Sequence, residues 1–231
     1  YADDGAYVVT VQVCDDDEQC GSDTLTVTIS NVAPAIDAGA NQTANEGDMV
    51  SLDPAAFDDF GFDNAPGSTL EDFSATVEWG DGTVDSGSAV TVTEIPGAEG
   101  VRTTGTIQAA HIYADDGLYT VEVAVCDDDG GCAGGLLFVT VNNVAPTVEA
   151  GANQNAAEGE IISLDPATFS DPGFDCPTCT PPTSEDFTAT IDWGDGTTEP
   201  ASDIAFVETD GEPTTGSVQG SHAYPDNGAY T

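Results

Sequence analysis

The sequence predicts an all-β chain of tandem antiparallel β-sandwiches, and three observations carry that expectation. Apolar residues alternate with polar ones at the two-residue period of a half-buried strand in several short runs. Gly- and Asp-rich turns separate these runs, and no stretch shows helical periodicity. A long segment also recurs. Residues 1–20 read YADDGAYVVTVQVCDDDEQC, residues 113–132 read YADDGLYTVEVAVCDDDGGC, and residues 224–231, YPDNGAYT, begin the same segment again.

The three copies start 112 and then 111 residues apart. Asn31-Val-Ala-Pro34 returns as Asn143-Val-Ala-Pro146, Ser51-Leu-Asp-Pro54 as Ser163-Leu-Asp-Pro166, and Trp79-Gly-Asp-Gly-Thr83 as Trp193-Gly-Asp-Gly-Thr197. A period of this size describes a whole domain rather than a short solenoid unit. Residues 33–144 are expected to form one complete repeat. Residues 1–32 supply the C-terminal strands of a preceding one, and residues 145–231 form a repeat without its last strands. Both ends fall at the same phase of the period, so the sequence reads as a window of a longer array.

Within the complete repeat, strands are expected at residues 35–37, 49–52, 72–79, 89–94, 103–110 and 118–126, with a last inward row at Leu137, Val139 and Val141. Residues 39–47 read as turn-rich and residues 53–71 as a long loop. Phe73, Ala75, Val77 and Trp79 share one face, as do Tyr119, Val121, Val123 and Val125. About seven short strands over about 110 residues is the pattern of a β-sandwich. Asp115-x-Gly117-x-Tyr119 places a tyrosine just inside a strand after a tight turn, the arrangement of the tyrosine corner in immunoglobulin-like sandwiches.

Composition narrows the function. Asp and Glu number 43 against one Lys or Arg, a formal charge of −42 whose repulsion opposes a compact state unless cations or salt offset it. Nucleic acid and anionic membrane surfaces are excluded as partners, since both require basic patches. No hydrophobic run is long enough to span a bilayer. The six cysteines fall in three close pairs, Cys14/Cys20, Cys126/Cys132 and Cys176/Cys179. Pairs flanking hairpin turns point to local disulfides and an extracellular, secreted or cell-surface setting. Zinc is the alternative, but no further pair or His stands at ligand spacing.

The motif set resembles the PKD (polycystic kidney disease) repeat, an immunoglobulin-like domain. The resemblance rests on the two Trp-Gly-Asp-Gly-Thr motifs, on His111-x-Tyr113 and His222-x-Tyr224, on Gly117-x-Tyr119-x-Val121-x-Val123, and on the turn Asp127-Asp-Asp-Gly130. It covers essentially the whole chain. The chain departs from the family in having Trp where Phe often precedes Gly-Asp-Gly, and in its longer 53–71 loop. The resemblance implies contact or spacing work in secreted or surface proteins, with calcium bound in some members.

Calcium takes six to eight oxygens, often from several loops. In this topology the 53–63 loop and the 127–129 turn are expected at one pole, with Asp37, Glu46, Asp81, Asp115 and Asp116 at the other, so that head-to-tail stacking brings acid-rich poles together. The candidate ligands are Asp58, Asp59, Asp63, Asp127, Asp128 and Asp129, with Asp171 and Asp175 in the next repeat and Asp15, Asp16 and Asp17 in the preceding one. The site is not an EF-hand, because the twelfth position counted from Asp127 is Phe138 rather than Glu. The competing explanation is a solvated acidic surface with Asp in ordinary turns. Asp81 and Asp195 read as turn residues, His111 and His222 as structural, and Trp79 and Trp193 as core, although an exposed Trp would permit sugar stacking.

No Ser-His-Asp set, reactive Cys-His pair or phosphate loop is present, so no catalytic residue is expected. The expected function is a structural segment of a giant tandem-repeat extracellular protein, a calcium-stabilised fibre, stalk or surface-layer element. Its expected partners are neighbouring repeats stacked head to tail in the same or an adjacent chain. The alternative is an adhesin or a carbohydrate-binding spacer of a secreted protein.

Overall fold

The computed structural model describes residues 1–64, 67, 69–209 and 212–231; residues 65, 66 and 68 of the expected 53–71 loop lie outside the described residues. The chain is built almost wholly of β-strands, and the only helical element among the described residues is a 3-10 turn at Gly87–Ala89. It is an all-β chain of antiparallel β-sandwich type.

Two compact units divide the chain. The first comprises Tyr1–Asn41, Ser51–Ala110 and Thr120–Phe138. It contains a hairpin in which Gly5–Cys14 pairs with Cys20–Ile29 in register from Gly5 opposite Ile29 to Cys14 opposite Cys20. A four-stranded antiparallel sheet runs in the order Ala35–Asp37, Ala55–Asp59, Thr103–Gln108, Thr91–Ile95. Across from it, Phe73–Glu78 pairs with Gly117–Asp127 on one side and Val84–Ser86 on the other. Phe57 of the first sheet meets Phe73 of the second with ring centroids 4.7 Å apart. Phe57, Ala75, Val77, Trp79, Ile107, Val121, Val123, Val125 and Leu137 are buried, so the expected inward rows form the core except at their first members, Phe73 and Tyr119, which are half-buried.

The second unit comprises Gln42–Val50, His111–Tyr119 and Val139–Thr231. Its four-stranded sheet runs Thr147–Glu149, Ala167–Asp171, Glu212–Gln219, Asp203–Thr209. Ala167, Phe169 and Val218 form a core with Phe187, Ala189 and Ile204, beside an apolar groove of about 460 Å³. Ala114, Phe174, Cys176 and Cys179 form a second buried cluster. Gln42–Asn45 runs parallel to Cys132–Asn142 over Val139 to Asn142.

Two expectations need correction. The stretch at residues 53–71 is not all loop, because Ala55–Asp59 is a strand paired with both Ala35–Asp37 and Thr103–Gln108. Ala55, Phe57 and Asp59 alternate inward, but small Ala and charged Asp in those positions hide the period. Gln42–Asn45 is likewise a strand rather than turn, held by pairing at an edge with no apolar row of its own.

The tyrosine corner is present three times. Tyr7, Tyr119 and Tyr230 each donate their hydroxyl to the backbone oxygen four residues earlier, at Asp3, Asp115 and Asp226, all at 2.9 Å. All three expected disulfides are closed: Cys14–Cys20, Cys126–Cys132 and Cys176–Cys179.

Leu137 is 2% exposed and its neighbour Leu136 is 61% exposed. Leu137→Ala should therefore cost about 2–5 kcal/mol in urea unfolding. Leu136→Ala should stay within about 0.5 kcal/mol.

Candidate metal centres

Among the described residues, acidic side chains converge at two places, one in each unit, and the same backbone scaffold builds both. In the second unit the strand Ala167–Asp171 ends at buried Asp171, whose Oδ1 accepts from Gly173 N at 2.9 Å. Asp175 Oδ1 accepts from Glu185 N at 2.8 Å and folds the 175–185 loop back over Gly173. A Cβ on Gly173 would stand 2.7 Å from Glu185 Oε1, so glycine is what lets the carboxylate lie there. Buried Thr214 donates Oγ1 to Gly173 O at 2.8 Å. Phe174 N then donates to Ala114 O at 3.1 Å, which places Asp115 beside the loop.

Glu46 arrives from a third segment. Gly47 N donates to Tyr113 O at 2.9 Å, and the positive φ of 71° at Gly47 lets its backbone press against Pro172. Glu46 is 1% exposed. Its Oε1 accepts from Val144 N at 2.6 Å, while its buried Oε2 has no hydrogen-bond partner among the described residues. One carboxylate oxygen each from Glu46, Asp115 and Glu185 lies within 4.8 Å of the others.

The first unit repeats this construction. Asp59 Oδ1 accepts from Gly61 N at 2.6 Å, Asp63 Oδ1 from Glu71 N at 2.9 Å, and Thr103 donates to Gly61 O at 2.7 Å. Phe62 N donates to Ala2 O at 3.2 Å. A Cβ on Gly61 would collide with the Glu71 carboxylate. Asp59, Asp63 and Glu71 thus occupy the positions of Asp171, Asp175 and Glu185. Oxygens of Asp3, Asp4 and Asp129 lie within 4.8 Å of one another. A cavity of about 150 Å³ is lined by these three together with Asp59 and Glu71. Buried Asp59 Oδ2 has no hydrogen-bond partner among the described residues.

Crowding of like charge away from water raises proton affinities. Burial, then Asp59 and Asp127–Asp129, push Glu71 up from 4.5 to about 8. Burial, then Glu46, Asp115 and Asp171, push Glu185 up to about 7. Glu46, Asp59 and Asp115 are raised chiefly by burial as well. Asp129 is pushed up to about 6, first by its hydrogen bond to the Asp3 carboxyl and then by burial.

The expected ligands divide. Asp59 and Asp129 line the first centre, and Asp171 and Asp175 belong to the second, where Asp175 acts through the loop backbone. Asp63 holds the loop at Glu71 N. Asp127 is buried and fully engaged, accepting from Gly131 N at 2.6 Å and Asn31 Nδ2 at 2.9 Å. Asp128 accepts weakly from Asp72 N at 3.4 Å. Asp58 pairs with Arg102, which lies over the Phe60 ring at 3.8 Å. Asp15, Asp16 and Asp17 stand on the exposed hairpin turn, where Asp15 Oδ1 accepts from Asp17 N and Gln19 N. Glu46, Glu71, Asp115, Glu185, Asp3 and Asp4 join the centres without having been in the expected ligand set. The usable signal was the recurrence of Glu71-Asp-Phe73 as Glu185-Asp-Phe187 across the cysteine insertion.

The remaining motif residues are structural. Asp81 and Asp195 accept from Thr83 N and Thr197 N at 2.9 Å. Trp79 and Trp193 are buried, with their indole nitrogens donating to Asp85 at 2.9 Å and Glu199 at 2.8 Å. His222 pairs with Asp195 at 2.8 Å and stacks on Trp193 at 5.0 Å. Among the described residues no helix is long and apolar enough to cross a membrane.

No protein-family model matches the chain, and no curated protein matches its sequence. Similar solved structures include Dpr2 Ig1-Ig2 in complex with DIP-Theta Ig1-Ig3, at 13% identity over 96% of this chain and TM-score 0.31. The zebrafish RET cadherin-like domains 1 to 4 match at 9% identity over 92% of this chain and TM-score 0.31. Rst D1-D2 matches at 13% identity over 84% of this chain and 85% of its own, with TM-score 0.33. The chain spans 64% and 50% of the length of the first two.

Glu71 and Glu185 hold a proton more tightly folded than unfolded, so in the ion-free chain the folded state is favoured at low pH and loses that advantage as pH rises from about 4.5 to about 8. In excess chelator the melting temperature should fall across that window, and Glu71→Gln should flatten the fall. A melting temperature that rises with pH in chelator would contradict the buried-acid geometry.

Proposed function

We propose that this chain is a structural segment of an extracellular tandem-repeat protein, with PKD-type repeats stiffened by calcium into a fibre, stalk or surface-layer element. The observation that supports this most is the duplicated scaffold: the same Asp–Gly, Asp–Glu and Phe–Ala backbone bonds gather carboxylates at two points one sequence period apart. In each, the Phe–Ala bond joins the end of one repeat's turn to the loop of the next. A cation there would tie consecutive repeats and remove the freedom between them. The reading assigns the segment no catalytic step.

Neighbouring copies, in the same or an adjacent chain, are the natural partners. The inward row of the first hairpin, Val11, Val13 and Leu25, is exposed, whereas Val123, Val125 and Leu137 at the same repeat positions are buried. An apolar groove lined by Phe169, Phe187 and Val218 has the complementary character. A sugar-binding spacer gains less support, because both repeated tryptophans are core residues.

Calcium bound only by the folded state stabilises by RT ln(1 + [L]/Kd), about 4 kcal/mol at a thousandfold excess over Kd. Thermal unfolding in calcium should therefore lie well above unfolding in chelator at equal ionic strength, and magnesium should not restore the difference. Identical melting in both would leave a salt-adapted acidic surface and remove calcium from the reading.

A further inference from the structure

Resting on the calcium reading above, we infer that Glu46, Asp115 and Glu185 form one calcium site whose ligands come from three separate chain segments. Two oxygens bound to one calcium ion at about 2.4 Å lie at most about 4.8 Å apart. The oxygens of Glu46, Asp115 and Glu185 meet that limit. Three carboxylates from separate segments suit a large, geometrically tolerant cation better than magnesium, which demands a near-ideal octahedron.

The independent pointer to a ligand is Glu46 Oε2. It is buried, it has no hydrogen-bond partner among the described residues, and its carboxylate belongs to the same three-carboxylate group. A buried carboxylate oxygen without a donor costs several kcal/mol, so such oxygens are paired or coordinate metal. The side chain is fixed by Asn142–Val144: Glu46 N donates to Asn142 O at 3.1 Å and Glu46 Oε1 accepts from Val144 N at 2.6 Å, which leaves Oε2 free to turn toward the other two acids. The first unit shows the same signature at Asp59 Oδ2 beside its acidic cavity.

The test is calorimetric titration of the whole chain with calcium chloride after exhaustive chelation. Glu46→Gln and Glu185→Gln are compared with Asp23→Asn, an exposed control whose carboxylate caps only Thr24 N. Glu46→Gln retains an oxygen for Val144 N, and Asp115→Asn reads the same site should Glu46→Gln fail to fold. Glu46→Gln, Glu185→Gln and Asp115→Asn should each lose one equivalent of bound calcium, or bind it about tenfold or more weakly, while the control matches the parent chain. If the parent binds calcium and the three site variants match it, this site is wrong and the general reading stands. If the parent binds none, both fail together.

Discussion

A carboxylate oxygen held away from water without a donor is among the costlier things a fold can contain, and among the described residues it occurs on Glu208 and, within the two acidic clusters, on Glu46 and Asp59. Around each of the latter two, further acids are drawn in by backbone bonds that have nothing to do with charge. The chain has one fixed cation, Arg102, and it is engaged with Asp58. No protein group is therefore at hand to neutralise the centres. Either protons do so, as the raised affinities of Glu71 and Glu185 describe, or an external cation does. The proposed reading takes the second, in which one divalent ion would satisfy several carboxylates at once.

The scaffold under the acids explains why the arrangement recurs. Asp59 and Asp171 each cap a glycine two residues on, and that glycine leaves room for a returning glutamate. A threonine hydroxyl from the neighbouring strand, Thr103 or Thr214, fastens the same glycine's carbonyl. The next residue, Phe62 or Phe174, donates its N–H to Ala2 or Ala114 and brings in the turn that carries Asp3 or Asp115. The insertion in the later repeat is absorbed between Asp175 and Glu185, where Cys176–Cys179 closes it and both sulfur residues are buried. The Asp175–Glu185 bond survives, so the glutamate returns to its place despite the longer loop.

Much of the fold was legible because it depends on local period. The rows Ala75–Val77–Trp79, Val121–Val123–Val125 and Leu137–Val139–Val141 alternate strongly in sequence and are buried as expected. Ala55–Asp59 and Gln42–Asn45 were not legible, since their pairing partners rather than their own apolar content make them strands. The centres were half legible. The sequence placed Glu46 and Asp115 at one pole and the 53–63 loop at the other, yet the ligand set drawn from it favoured the runs of aspartate. Asp15 and Asp127 sit in dense acidic runs but serve turns, while isolated Glu71 and Glu185 are brought in by loop bonds to Asp63 and Asp175, and Glu46 by a bond to distant Val144. Carboxylate density along the chain is a poor guide to carboxylate density in space.

The most direct measurement is a crystal structure of the chain grown in calcium, with anomalous differences collected at a long wavelength. The account predicts a peak among the Glu46, Asp115 and Glu185 oxygens, with each oxygen at roughly 2.3–2.6 Å from it. Density for a water, or for no atom, between those carboxylates at neutral pH and millimolar calcium would contradict it.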